Sequence, residues 1–307
     1  MHFQSIAFSG LVPGARLIVL GAVHGNETCG TQAIRRIVSE IEAGALNIVA
    51  GLVSFVPVAN PLAYARGQRM GDRNLNRNLA PTDAPAEFED RIANWLCPLL
   101  AAHDALLDLH SFHTAGEPFA MLGPENNAGA LEPFSRAAEE TALALRLGVR
   151  RFVDGWLDTY AAGVTQRSGS AADVRYGVGT TEYMRARGGI ALTLECGQHD
   201  DPAAPGVAYR AIRGALAHLG ISDEGAPAPP AAAEALRLYS VVDRAHADDA
   251  LARPWASFDP VRAGETVGTR YDGTPVVAGR DGYVVFPNPG AAPGQEWFYL
   301  AGRVSRV

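Results

Sequence analysis

Over the first two thirds of the chain, apolar runs of strand length alternate with segments whose apolar residues recur at helical spacing, and this alternation constrains the fold most. Residues 17–23 read as a buried strand, and 27–43 as a helix through Ala33, Ile34, Ile37, Val38 and Ile41. A second strand spans 48–58. A helix (86–101), a strand (105–109), a short strand (118–122) and a long helix (128–147) follow, then a helix (179–187), a strand (190–195) and a helix (207–219). The central strands are near-continuous apolar runs, as strands covered by helices on both faces must be. The expected class is α/β, with helices sandwiching a sheet. Residues 59–85 break the alternation with little periodicity and many Asn, Arg, Gly and Asp, and a loop that long inside a compact domain is usually functional or disordered.

The texture changes after residue 222. Residues 223–235, centred on Gly-Ala-Pro-Ala-Pro-Pro-Ala-Ala-Ala, have little to bury and read as a linker. Beyond them come short β-rich pieces at 237–242, 264–270, 275–278, 282–286 and 297–304. The expected organisation is a catalytic domain over 1–222, the linker, and a small β-rich domain over 236–307. A chain of 307 residues is long enough for one large core with such a satellite.

All 26 basic residues are Arg; there is no Lys. The chain therefore lacks a phosphate-loop lysine, a Schiff-base lysine and a lipoyl or biotinyl attachment lysine. A formal net charge of -7 gives no support for a nucleic-acid partner. Cys29, Cys97 and Cys196 are odd in number and scattered, which fits a reducing compartment. No signal-like segment or run of about 18 apolar residues occurs, so a cytoplasmic protein without a membrane span is expected. The sequence leaves the oligomeric state open, a homo-oligomer included.

The string Gly21-Ala22-Val23-His24-Gly25-Asn26-Glu27 sits where the first strand gives way to the first helix. A spacing of three across such a turn can bring an imidazole and a carboxylate onto one metal. His110, in Asp108-Leu109-His110 at the end of the strand 105–109, is the third candidate ligand. Two imidazoles and a carboxylate form a set used by zinc hydrolases, and the C-terminal edge of an α/β sheet is where such sites gather. Asp108 shares a side with His110 and could accept its second N–H, a solvated loop carboxylate being the alternative. Of the other histidines, His113 is the best spare ligand, while His103, His199, His218 and His246 read as surface or packing residues.

Taken together, His24-Gly25-Asn26-Glu27, Asn60-Pro61 with Asn74-Leu75-Asn76-Arg77, Asp108-Leu109-His110 and Leu194-Glu195-Cys196-Gly197 form an ordered series. It resembles the motif series of the succinylglutamate desuccinylase and aspartoacylase family, which is related to the zinc carboxypeptidases. The resemblance implies a zinc carboxypeptidase-like α/β/α sandwich with a mixed central sheet, plus a small all-β C-terminal domain. It implies one Zn2+ per chain on His24, Glu27 and His110, and Glu195 as the general base acting on zinc-bound water. Arg69, with Arg66 and Arg73 as neighbours, matches the arginine that polarises the scissile carbonyl and stabilises its oxyanion. Asn76 and Arg77 match the pair that grips a substrate carboxylate. Arg185, with Arg187 as its rival, matches a second carboxylate-binding arginine, and Tyr271, Tyr283 and Tyr299 are candidates for an aromatic that closes the site. The chain departs from the family in carrying Asn74 where Asp is usual.

The expected activity is thus zinc-dependent hydrolysis of the amide bond of a small N-acyl amino acid bearing a carboxylate. A carboxypeptidase-like metallopeptidase is the alternative, and a non-catalytic zinc-containing binding module the less favoured one. Acyl group and amino acid are not legible.

Overall fold

In the computed structural model, which describes residues 2–164 and 173–307, the central strands are apolar on both faces because helices cover both. Strand β2 (Val12–Gly21) lies between β3 (Ala50–Val56) and β4 (Ala105–Phe112), all parallel, and β4 pairs in parallel with β7 (Ile190–Gln198). Successive side chains of β2 alternate between faces. Leu17 and Val19 pack with Ile34 and Ile37 of α1 (Cys29–Glu42), Leu143 of α4 (Ala137–Ala144) and Ile212 of α7 (Ala204–His218). Ile18 and Leu20 pack with Ile92, Leu96 and Leu100 of α3 (Phe88–Ala101) and Met184 of α6 (Thr180–Ala186). This is the expected α/β/α sandwich.

Strand β1 (Ile6–Ser9) closes one edge, antiparallel to β3. On the other side β5 (Phe119–Met121) runs antiparallel to β7 and parallel to β6 (Arg151–Asp154), and β6 pairs in parallel with β8 (Glu234–Asp243). Strands β14 (Glu296–Val304), β13 (Gly282–Val285) and β10 (Pro260–Val261) continue antiparallel, giving one mixed sheet of 11 strands. A three-stranded sheet of β12 (Pro275–Val277), β11 (Thr266–Thr269) and β9 (Ala250–Leu251) packs on it through Val267 and Trp297. The coil at 223–233 coincides with the sequence-read linker, yet the sheet runs unbroken past it because β8 pairs directly with β6. No helix among the described residues is long and apolar enough to cross a membrane.

The helix expected over 128–147 is confined to Ala137–Ala144. Pro133 disfavours helical geometry at Glu132, and Asn127 Oδ1 accepts the Gly129 N–H in a local turn while its backbone bridges to Phe134. Strand β6 and helix α5 (Trp156–Gly163) were not read from sequence: Phe152-Val153 is too short an apolar run, and α5 follows after a single left-handed glycine, Gly155. The short helix α2 (Pro61–Arg66) interrupts the loop expected at 59–85.

The C-terminal strands are tied together by a buried carboxylate. Asp249 accepts hydrogen bonds from Arg270 (2.8 Å) and from the backbone N–H groups of Ala245 (2.8 Å), His246 (3.1 Å) and Tyr271 (2.9 Å). Burial alone would raise its pKa, but Arg270 and the three backbone donors outweigh burial and hold the carboxyl well below its usual range. A carboxyl so depressed contributes its full stabilisation above the unfolded-state pKa of about 4 and loses it as pH falls toward the native value. Asp249→Asn is expected to lower stability by about 2 kcal/mol at pH 7. In urea unfolding curves that difference should shrink below about pH 4.

Candidate metal site and cleft

The turn after β2 is set by backbone packing. Ala22 adopts φ +47°, its carbonyl accepts the Asn60 N–H at 3.0 Å, and a Cβ on Gly25 would lie 2.0 Å from the backbone of Ala63. Position 25 therefore requires glycine. Asn60 caps α2, its Oδ1 accepting the Ala63 N–H at 3.1 Å, which fixes the surface on which the turn rests. His24 and Glu27 emerge from this turn, and His110 comes from β4. Glu195 of β7 lies in register with His110 on the adjacent strand, so the two share a sheet face.

His24, Glu27 and His110 are all buried, and their ligand atoms lie within 4.8 Å of one another. His24 Nδ1 is 2.9 Å from Glu27 Oε1, and His110 Nδ1 is 2.9 Å from Glu27 Oε2. The far nitrogens also face oxygens: His24 Nε2 lies 3.1 Å from Asn74 Oδ1, and His110 Nε2 lies 3.0 Å from Asp108 Oδ2. Asn74 Oδ1 accepts the backbone N–H of Asn76 at 2.9 Å, which fixes its amide with oxygen toward His24. Burial, with Arg69 nearby, pulls the pKa of His24 down to about 4, so the ring is neutral and has one N–H for two acceptors. With that proton on Nε2, donated to Asn74, the Nδ1 lone pair points at the Glu27 carboxylate. A cation among the three donors resolves this mismatch, so the donor set fits a metal ion. Burial would lower the pKa of His110, but Asp108 and Glu27 push it well up, so an ion there takes the place of a proton.

The long loop that delivers Arg69 and Asn74 is held by Glu89 of α3, which is wholly buried. Its carboxylate accepts the backbone N–H groups of Gly71 (3.0 Å), Asp72 (3.2 Å) and Arg73 (3.2 Å) and the Asn60 side-chain amide (2.8 Å). Arg69 donates to Glu27 Oε1 at 3.0 Å. Asn76 Oδ1 accepts the Thr180 N–H at 2.9 Å, and Arg77 sits 4.9 Å from the ring centroid of Trp156 with Glu296 3.4 Å away. Arg66 donates to the Gly71 carbonyl and Arg73 pairs with Asp90, so both brace the loop. Arg185 is buried in the cleft wall, donating to Glu140 (2.9 Å), Glu132 (2.8 Å) and the Ala191 carbonyl (2.8 Å), whereas Arg187 lies over the ring of Tyr183.

All eight site residues read from the sequence line one cavity of about 680 Å³. Glu195 is buried there, and its Oε2 has no hydrogen-bond partner among the described residues. Burial first, with Glu27 and Asp108 adding to it, pushes its pKa up to about 8 against the opposing pull of His110 and Arg69. Of the three tyrosines considered for closing the site, Tyr299 lines the cavity; Tyr271 is exposed and Tyr283 contacts Glu234 and Arg303. Trp156, Tyr160, Tyr176 and Phe286 line it too, none anticipated from sequence because no motif marks them. His113 lines the rim with its ring 4.7 Å from that of His199, which bonds Ser111 Oγ at 2.8 Å; neither joins the three-residue ligand group. His103 is a packing residue, bonded to Ser54 and the Leu99 carbonyl.

Residues 13–142 match the model of the succinylglutamate desuccinylase/aspartoacylase catalytic domain. No curated protein matches at the sequence level. Among solved structures, a succinylglutamate desuccinylase/aspartoacylase from Rhodobacter sphaeroides superposes with a TM-score of 0.75 at 20% identity, covering 98% of this chain and 89% of that one. The product-bound ectoine utilization protein EutE (DoeB) from Ruegeria pomeroyi gives 0.72 at 20% identity, over 97% and 88%. Succinylglutamate desuccinylase from Vibrio cholerae gives 0.71 at 21%, over 94% and 82%. At these identities the superpositions establish a shared fold.

Purified protein should carry or take up about one divalent ion per chain, and His110→Ala should lose it, as read by elemental analysis. Added zinc should raise the Tm of the wild type and leave that of the variant unchanged. Absence of binding to the wild type would remove the metal reading.

Proposed function

We propose that this protein, whose residues 13–142 match the model of the succinylglutamate desuccinylase/aspartoacylase catalytic domain, is a zinc-dependent amidohydrolase that removes the acyl group from an N-acyl amino acid. The observation that carries this reading is the meeting of His24, Glu27 and His110 with Glu195 and Arg69 in one cavity. His24, His110 and the Glu27 carboxylate would hold the ion, and zinc suits two imidazoles and one carboxylate. An ion held there would supply a Lewis acid for the scissile carbonyl and a more acidic water at neutral pH.

The remaining steps belong to side chains. Glu195, buried and with one carboxylate oxygen unpartnered among the described residues, takes the proton of the attacking water and returns it to the departing amine. Arg69, half-exposed beside Glu27, donates to the carbonyl oxygen as negative charge develops on it. Asn76 and Arg77 orient the substrate by its carboxylate, the guanidinium being held in place by Trp156 and Glu296. Phe286, Glu296 and Tyr299 from the C-terminal strands wall the cavity, which favours a small acyl amino acid over a polypeptide.

The test is amine release from a panel of N-acyl amino acids, with loss on chelation and recovery on adding zinc. Glu195→Gln is expected to lower kcat by about 10²–10⁴ with KM and bound metal little changed. Arg69→Ala should lower kcat by about 10²–10³. Hydrolysis of peptides but not of N-acyl amino acids would overturn the assignment.

A further inference from the structure

The charges around the cavity carry a statement about the substrate, which rests on the deacylase reading. Three arginines line it, and each already faces a carboxylate: Arg69 is 3.0 Å from Glu27, Arg77 is 3.4 Å from Glu296, and Arg185 is 2.8 Å from Glu132. Arg185 is the extreme case. Besides Glu132 it has Glu140 at 2.9 Å and Glu182 at 3.7 Å, so three carboxylates surround one guanidinium. Burial pushes the pKa of Glu132 up to about 7, and Glu182 and Glu140 add to that rise against the pull of Arg185. This wall already holds more negative charge than its one cation balances. A substrate carboxylate brought to Arg185 would meet Glu182, which also lines the cavity, rather than an available fork.

The cavity does have a place for one carboxylate, at Arg77, which among the described residues pairs with Glu296 at 3.4 Å and with no further carboxylate within ion-pair distance. Around that point the wall is aromatic. Trp156 and Tyr160 stack at 5.4 Å with an interplanar angle of 14°, and Tyr176, Phe286 and Tyr299 complete the surface. Aromatic faces beside Arg77 favour a ligand side chain that is uncharged.

We propose that the substrate is an N-acyl amino acid with a single carboxylate, bound at Arg77, and an uncharged apolar side chain resting on the aromatic wall. Arg185 serves as a structural counter-ion for Glu132, Glu140 and Glu182. Glu182 and Glu296 act against a second substrate carboxylate, since discrimination between ligands is set as much by repulsion of the wrong one as by contacts to the right one.

The experiment compares kcat/KM of the zinc-loaded wild type for N-acetyl-L-phenylalanine and N-acetyl-L-leucine with that for N-acetyl-L-aspartate and N-succinyl-L-glutamate. The monocarboxylates are expected to be favoured by at least about tenfold, the scale of one like-charge juxtaposition. Glu296→Gln should narrow the phenylalanine-to-aspartate ratio severalfold by relieving repulsion of the second carboxylate. Faster turnover of the substrates with two or three carboxylates would overturn this inference and leave the deacylase reading standing. No hydrolysis of any of the four, by protein shown to hold its ion, would remove both.

Discussion

The arrangement of the site follows from one constraint: two imidazole Nδ1 atoms and one carboxylate converge at buried positions within 4.8 Å of one another. Burying such a group costs several kcal/mol per ionised side chain unless a counter-charge is supplied. Much of the surrounding chain is committed to holding it nonetheless. Ala22 takes a left-handed conformation, Gly25 gives up its side chain so that α2 can approach, and Asn60 ties the turn to that helix. Tightly packed elements that enforce an electrostatic mismatch are what a resident cation requires. They would be a liability in a protein that bound nothing there.

The same constraint explains the second layer of buried charge. Loop residues 71–73 have no regular secondary structure to satisfy their N–H groups, and Glu89 satisfies three of them from behind. That keeps Arg69 and Asn74 beside the ligands without a strand or helix of their own. The C-terminal strands enter through the β6–β8 pairing, which carries the central sheet outward until β14 presents Glu296 and Tyr299 to the cavity. His110, Glu195 and the cavity-wall residues Glu296 and Tyr299 therefore stand on one sheet, and the wall's position is fixed by backbone hydrogen bonds.

Much of this was legible in the sequence, for identifiable reasons. Apolar runs and helical periodicity gave β2, β4, β7, α1, α3 and α7, because in a two-faced sandwich burial writes itself into every position. His24, Glu27 and His110 stood at strand ends, where α/β sheets place chemistry, and the fold brings them together. What escaped notice depends on long-range partners. Trp156 and Tyr160 sit on a helix preceded by a two-residue apolar run, and Glu89 looks like an ordinary helix acid until the loop is seen to wrap around it. The offset of Arg185 from Glu195 carries no information about the three carboxylates that reach it from Glu132, Glu140 and Glu182.

Position 74 shows how far a single departure reaches. Asp108 stands behind His110 and Asn74 stands behind His24, so one ligand imidazole faces a carboxylate and the other a neutral amide. A carboxylate raises the basicity of the ring it faces more than an amide does. The two ligands are therefore unequal: His110 is the more basic, and its supporting acid is itself bound by Thr180. His24 instead donates its single N–H to a group that also accepts the Asn76 N–H. An amide in that place fixes the His24 tautomer through geometry while adding no charge. With Glu27 and Asp108 already buried beside Glu195, a third acid there would raise the cost of ionising Glu195 further. The neutral residue at position 74 therefore adds no further acid to the cluster of Glu27, Asp108 and Glu195.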